Sequence, residues 1–238
     1  MKQELIYEGK AKQLYASSNQ GEVIIHYKDD ATAFNGIKKA SIENKGILNN
    51  AISTRIYRYL GEHGIRTHYL ETLNESDQRC LAVTIIPLEV IVRNVAAGSF
   101  SKRLQVEEGT PLQHVVFELC YKNDDLGDPL INDDHALALG IATEADLAQI
   151  RAMTFSINQL LIQLFLQCSI ELIDFKIEFG KTASGELVLA DEISPDSCRL
   201  WDMESHEKLD KDRFRRDLGK VQEAYQEILD RLIGVLDK

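Results

Sequence analysis

Cysteine is scarce: four residues, Cys80, Cys120, Cys168 and Cys198, lie far apart, and no two form a C-x-x-C pair. That spacing argues against a zinc knuckle or a redox dithiol and suits a reducing compartment. Long apolar runs are missing as well. A bilayer span needs ~20 predominantly apolar residues, and the nearest approach, 157-INQLLIQLFLQCSIELI-173, is broken by polar residues. It reads as a buried helix running into a strand. The N-terminal MKQELIYEGKAK has no apolar signal core. No run of five like charges occurs, and no internal repeat or low-complexity tract. With 27 basic and 38 acidic residues the formal charge is -11. A uniform excess of that sign repels phosphate backbones and disfavours nucleic-acid binding without a local basic patch. A cytoplasmic protein with no membrane or nucleic-acid partner is expected.

The 238 residues suffice for one large domain or two modest ones sharing a cleft. The segments 4-ELIYEG-9, 11-AKQLYAS-17 and 22-EVIIHYK-28 read as short antiparallel strands. Ser41 is a plausible cap for a helix that Gly61 and Gly64 stop. Strands are predicted over 67–73, 79–86, 88–95 and 112–122, with a hinge at Pro87. The polar loop 123-NDDLGDPLINDDH-135 holds five Asp. Thr143, answered by Asp146, predicts the start of a long helix over 144–168. A hairpin follows, and Asp210 or Asp212 begins a terminal helix with Phe214, Leu218, Val221 and Tyr225 on one face. Strands and helices in segregated runs predict an α+β fold with mainly antiparallel sheets.

The hairpin concentrates ionisable groups. In 173-IDFKIEF-179 the period of two puts Asp174, Lys176 and Glu178 on one face and Phe175, Ile177 and Phe179 on the other. A solvated outer face would explain that strand alone. Its partner, 187-LVLADE-192, is apolar on both faces and then ends in Asp191-Glu192, as a strand does at a cleft mouth. Acids on adjacent strands can share Mg2+, which prefers hard oxygen ligands and arrives with substrate phosphates. Pro195 and Asp196 turn the chain toward Arg199, a fork suited to phosphate. Lys10 and Lys12 in 9-GKAK-12 share a strand face; they could grip polyphosphate, but on the residues alone they read more readily as surface lysines of a hairpin, and no P-loop spacing is present. In 92-VRNVAAGSFSKRL-104 a strand passes through small residues to a helix start that Ser99 or Ser101 could cap, either an ordinary turn or an anion site with Arg93 beside it. The six histidines are scattered without ligand spacing, and no G-x-S-x-G or other nucleophile pattern occurs.

Six stretches together carry a resemblance: 8-EGKAKQLY-15, 43-ENKGILNN-50, 91-IVRNVAAGSFSKR-103, 127-GDPLIN-132, 174-DFKIEFG-180 and 191-DEISPDSCRLWD-202. They span nearly the whole chain, and in them it resembles the SAICAR synthetase family (phosphoribosylaminoimidazole-succinocarboxamide synthases). The resemblance implies an ATP-dependent ligase of purine biosynthesis. Its reaction joins L-aspartate to the carboxylate of carboxyaminoimidazole ribonucleotide (CAIR) and releases ADP and phosphate. It implies a two-lobed α+β fold, with a kinase-like small lobe over residues 1–86 and an ATP-grasp-like larger domain over 87–238. Carried over by motif, Lys10 and Lys12 would contact ATP phosphates, and the segment around Pro87 would lie beside adenine. Glu178 and Asp191 would hold the nucleotide's Mg2+. Arg93, Ser99 and Arg199 would bind the ribonucleotide phosphate, and Asp196 its ribose. Asp174 and Lys176 would face the imidazole, and Glu43 and Asp128 would help hold a metal at the substrate carboxylate. Cys198 departs from the Ser or Thr common among relatives, and a thiol donates hydrogen bonds weakly. A homo-oligomer is compatible with the sequence. A small-molecule kinase would keep Lys10, Glu178 and Asp191 but need no second anion site, and a catalytically dead nucleotide-binding regulator would tolerate loss of metal ligands, none of which is lost here.

Overall fold

Three short strands open the chain, β1 (Leu5–Glu8), β2 (Lys12–Ala16) and β3 (Glu22–Tyr27), followed by a small hairpin of β4 (Asp30–Ala33) and β5 (Lys38–Ser41). The structure, a computed structural model, describes residues 4–33 and 36–237. Helix α1 (Lys45–Glu62) starts later than Ser41, which ends β5. Asn44 takes the cap position with φ 61° and makes no side-chain cap. The free N–H of Gly46 is met from outside, by Asp29 Oδ1 at 2.9 Å. Gly46 is required there, because a Cβ would sit 2.5 Å from the Tyr27 carbonyl oxygen. The helix therefore lies directly on the end of β3.

Strands β6 (Tyr69–Thr72) and β7 (Asp77–Leu81) complete the first sheet, antiparallel in the order β1-β2-β3-β7-β6. The single strand expected over 79–86 is two. β7 belongs to the first sheet, and β8 (Thr84–Ile85) crosses to pair in the second. Then come β9 (Leu88–Val95), α2 (Gly98–Leu104) and β10 (Pro111–Tyr121). The Asp-rich segment is not structureless: it holds a 3-10 turn at Asp124–Leu126, β11 (Leu130–Ile131) and the start of α3 (Asp133–Ala138). Helix α4 (Glu144–Gln167) has the expected cap: Thr143 Oγ1 accepts from Asp146 N, and Asp146 Oδ2 accepts from Thr143 N, each at 3.1 Å. Such a reciprocal cap contributes about 1 kcal/mol.

Strand β12 (Ile170–Lys181) is the spine of the second, seven-stranded sheet, with β13 (Leu187–Ala190) and β14 (Cys198–Asp202) on one edge and β9 and β8 on the other. The terminal helix predicted from Asp210 or Asp212 is broken. A single turn, α5 (Asp212–Arg215), ends in residues of positive φ at Asp217, Gly219 and Lys220, and α6 (Val221–Leu236) begins afresh. Left-handed residues in such quick succession cannot continue an α-helix. Leu218 consequently lies in the connection, half exposed.

One core joins these elements. Ile52 and Ile56 of α1, Val90 of β9, Ile157 and Leu161 of α4, Ile177 of β12 and Ile228 of α6 are all fully buried within it. Each such side chain contributes about 1.5–3 kcal/mol. Helix α1 thus packs on the C-terminal helix as well as on the first sheet. The four cysteines are buried and unpaired. Among the described residues no helix is long and apolar enough to cross a membrane.

Candidate active site

The site opens where β12 changes partners on both edges. On one edge β14 pairs it as far as Phe175, and β13 takes over at Glu178. On the other, β9 pairs it as far as Ile177, and β8 takes over at Gly180. Between β14 and β13 the strands part around Lys176, between β9 and β8 they part after Ile177, and Asp174, Lys176 and Glu178 project from the divided region on one face.

A cavity of about 720 Å³ lies between the two sheets. One part of its wall is apolar, from Leu14, Val23, Ile25, Val83, Ile85 and Pro87. The other part is charged, from Lys10, Lys12, Lys122, Lys176 and the acids Glu89, Glu178 and Asp191. Lys176 Nζ is a common partner for three carboxylates: Glu178 at 2.6 Å, Glu89 at 3.2 Å and Asp191 at 3.5 Å. Lys12 pairs closely with Asp191 and lies 3.6 Å from Glu192. Lys122 donates to Glu178 at 2.8 Å. For Lys12, Lys122, Lys176 and Asp191 burial disfavours the charge, yet the opposite charges outweigh it. Asp191 is held well below the usual carboxylate range, chiefly by Lys12 and then Lys176. Lys176 is held well above the usual lysine value, chiefly by Glu178 and Asp191. Lys176 is therefore a fixed cation, not a base.

Asp191 sits at φ 66°, a left-handed conformation uncommon for residues with side chains and often found at functional sites. Tyr57 holds it there, its hydroxyl donating to the carbonyl oxygens of Ala190 at 3.1 Å and Asp191 at 2.8 Å. His68, one of the six scattered histidines, is a buried part of the cavity wall. Burial and then the Lys12 charge lower its pKa to about 4, so it is neutral.

A second cavity, of about 310 Å³, lies across Lys176. Arg93 and Arg199 meet there on Asp174, at 2.9 Å and 2.8 Å. Arg93 is 2% exposed and also donates to Glu118 at 2.8 Å and to Ser99 Oγ at 3.0 Å. Ser99 is thus an acceptor for Arg93 rather than a helix cap; Ala97 holds the cap position of α2, with no side-chain bond. Arg199 donates to Asp212 at 3.0 Å. Gly98 makes room for it: its φ is +55°, and a Cβ would lie 2.4 Å from Arg199 Nη2. The small residues before α2 are needed because a guanidinium passes against the backbone.

Asp196, on the same cavity wall, is 4% exposed at its side chain and accepts from Lys45 at 2.7 Å and Tyr225 at 2.6 Å. Beneath Arg199, Asp210 accepts from the backbone N–H groups of Leu200 at 2.8 Å and Asp212 at 2.7 Å. Burial, then the Asp212 charge, pushes Asp210 up to about 7. A raised acid pKa favours folding below the unfolded value and loses that contribution as pH rises through the folded one. Relative to Asp210→Asn, the wild type is expected to lose roughly 3 kcal/mol of stability between about pH 5 and pH 8. Chemical denaturation of both proteins across that range measures it. Parallel pH curves would contradict it.

The structure gathers Lys10, Lys12, Pro87, Asp128, Lys176, Glu178 and Asp191 on the first cavity and Arg93, Ser99, Asp174, Asp196 and Arg199 on the second, with Lys176 common to both. Glu43 does not join them: it is exposed and lines neither. The same motif delivers Lys45, which reaches the second cavity only through Asp196. Lys10 pairs with Asp124, also on the wall of the first cavity, at 2.7 Å. Glu89, Lys122 and Arg215 were missed. Glu89 was legible, since counting back by two from Arg93 through Ile91 places it on the same strand face. Arg215 was not, because the break after α5 hides which face it takes. Among the described residues no group of three or more His, Cys, Asp or Glu side chains forms a self-sufficient metal site.

The chain is 62% identical to the phosphoribosylaminoimidazole-succinocarboxamide synthase of Dichelobacter nodosus over 231 residues, 97% of each chain. It is 61% identical to that of Deinococcus deserti, covering 96% of this chain and 97% of that one. The crystal structure of the Ehrlichia chaffeensis enzyme superimposes with a TM-score of 0.94 at 48% identity, over 96% of this chain and 98% of that one. A SAICAR synthetase in complex with ADP gives 0.93 at 45% identity, over 98% and 99%. The profile of the SAICAR synthetase family matches residues 5–232, and the chain belongs to that family.

Proposed function

We infer that the chain is an ATP-dependent carbon–nitrogen ligase of purine biosynthesis, joining L-aspartate to the carboxylate of CAIR with release of ADP and phosphate. One observation carries the reading: the two cavities, one part apolar and part cationic, the other built on two arginines, meet at Lys176. The apolar wall suits a nucleobase beside Pro87, and Lys10 and Lys12 suit its phosphates. Arg93, Ser99 and Arg199 suit a monophosphate, with Asp196 at the ribose. Residues 1–86 act as the kinase-like lobe over the nucleotide, and residues 87–238 as the ATP-grasp-like lobe carrying the ribonucleotide. The reaction places the protein in the cytoplasm.

The Mg2+ that the family reading implies fits the residues present. Glu89, Glu178 and Asp191 already converge on one ammonium. They fall short of a complete cage, as suits an ion that usually takes one or two carboxylates and completes its shell with phosphate and water. Glu178 and Asp191 would hold it, with Asp128 nearby and the exposed Glu43 farther off. When bound, it would neutralise charge on the phosphate oxygens.

The chemistry follows from a carboxylate being a poor acylating agent. A CAIR carboxylate oxygen attacks the γ-phosphorus, the bond to the ADP oxygen breaks, and ADP leaves with the electron pair. The aspartate amine attacks the acyl carbon of the resulting acyl phosphate. The carbon–oxygen bond breaks, phosphate leaves with its electrons, and the nitrogen gives up a proton. The chain's own part is positioning and charge: Lys12 and Lys176 face the transferred group, Arg199 anchors the phosphate, and Asp174 orients Arg93 and Arg199. No nucleophilic side chain is needed.

Incubation with ATP, Mg2+, CAIR and aspartate should release ADP only when both CAIR and aspartate are present. ADP release with CAIR alone, without aspartate incorporation, would indicate a kinase. In Arg199→Ala the KM for CAIR should rise about 10–100-fold, the worth of a charged hydrogen-bond pair. An unchanged KM would remove Arg199 from the phosphate site.

A further inference from the structure

We propose that Asp210 and Asp212, which border neither cavity, are positioning residues that hold Arg199 against the ribonucleotide phosphate. The proposal deepens the ligase reading and rests on it. Asp174 and Asp196, the acids on the wall of the second cavity, each meet cations. Asp210 is fully buried and forms no ion pair among the described residues. Both of its oxygens go to backbone N–H groups instead. Oδ2 accepts from Leu200, the residue after Arg199 on β14, at 2.8 Å, and Oδ1 accepts from Asp212, the first residue of α5, at 2.7 Å. Asp212 in turn accepts from Arg199 Nε through Oδ2 at 3.0 Å. One carboxyl thus ties the strand that carries the guanidinium to the acid that receives it. Helix α5 needs such a tie. It is a single turn of four residues, and a first helical turn costs more in ordering than its one hydrogen bond returns. Asp174 takes Arg199 Nη1 and Asp212 takes Nε, so the planar guanidinium is gripped at two nitrogens and keeps Nη2 free of hydrogen bonds to the described residues. Without Asp212 the grip on Asp174 alone, which Arg93 shares, would leave the fork free to turn.

Steady-state ADP release is measured with each substrate varied at saturating levels of the others. Asp210→Asn keeps the shape but sets an amide donor against one of the two backbone N–H groups. Its KM for CAIR should rise threefold or more, with those for ATP and aspartate within twofold of wild type. A smaller folded fraction would lower kcat and leave every KM alone, so this split separates positioning from stability. The double variant with Arg199→Ala shows whether the effect runs through Arg199. Its CAIR KM should lie within twofold of that of Arg199→Ala alone. An effect carried by Arg215, which also pairs with Asp212 and borders the same cavity, would persist there. Should Asp210→Asn not fold, Asp212→Asn is expected to show the same rise for CAIR and to lose it beside Arg199→Ala. A CAIR KM raised less than threefold, an equal rise for ATP or aspartate, or a double variant more than twofold above Arg199→Ala overturns the proposal. A wild-type protein that releases no ADP with all three substrates refutes the ligase reading itself. A shifted Arg199→Ala beside an unshifted Asp210→Asn refutes only the positioning role.

Discussion

Asp191→Asn should slow turnover by roughly 10²–10³-fold while leaving the protein folded. The side chain joins the two halves of the charged wall, pairing with Lys12 and facing Lys176. Asparagine keeps the shape and tolerates the left-handed backbone that Asp191 adopts. Only the charge is lost. Lys12 keeps Glu192 at 3.6 Å, so the buried ammonium is not orphaned. The variant should also need more Mg2+ to reach half its own maximal rate, since one of the two proposed ligands has become neutral. Steady-state ADP release across a Mg2+ titration, with thermal unfolding as the control for folding, reads both effects. Turnover within tenfold of wild type at ordinary Mg2+ would remove Asp191 from the metal site.

Lys176→Met is the second large effect. The thioether fills the space of the stem but leaves Glu89, Glu178 and Asp191 without their shared cation. Glu178 retains Lys122, and Asp191 retains Lys12. The stability loss should therefore stay at about 1–3 kcal/mol, below the cost of stranding a fully buried charge. Turnover should fall roughly 10²–10³-fold, because a fixed cation at the junction of the cavities is gone. Millimolar Mg2+ should raise the thermal midpoint of this variant more than that of the wild type, the divalent ion taking the place of the ammonium. Equal Mg2+ shifts in the two proteins would show that the three carboxylates do not converge as a cation site.

Much of this was legible in the sequence because strands impose a period of two. Asp174, Lys176 and Glu178 had to share a face, and the apolar partner strand ending in Asp191-Glu192 marked the mouth of a cleft. The capping box at Thr143 and Asp146 was legible for a similar reason, since both partners are local. What escaped depended on distant chain. Ser41 has the right chemistry for a cap, but Asp29 supplies the acceptor from another part of the fold. The terminal helix kept its apolar spacing across a break that Asp217, Gly219 and Lys220 impose through backbone angles. Glu43 was chosen from a motif whose buried member is Lys45, a lysine that no burial rule would place inside without knowing that Asp196 meets it. Gly98 shows the converse: the need for glycine is visible in the letters, but its cause, the Arg199 guanidinium, comes from a strand a hundred residues later.

The claim on which the rest depends is that ATP activates the CAIR carboxylate directly at the meeting point of the two cavities. CAIR labelled with ¹⁸O in that carboxylate tests it. After complete turnover with ATP, Mg2+ and aspartate, mass spectrometry of the released phosphate should find one labelled oxygen per molecule, carried over when the acyl phosphate breaks. Phosphate free of label, with product still formed, would mean that the carboxylate never receives the phosphoryl group and that the cavities serve some other chemistry.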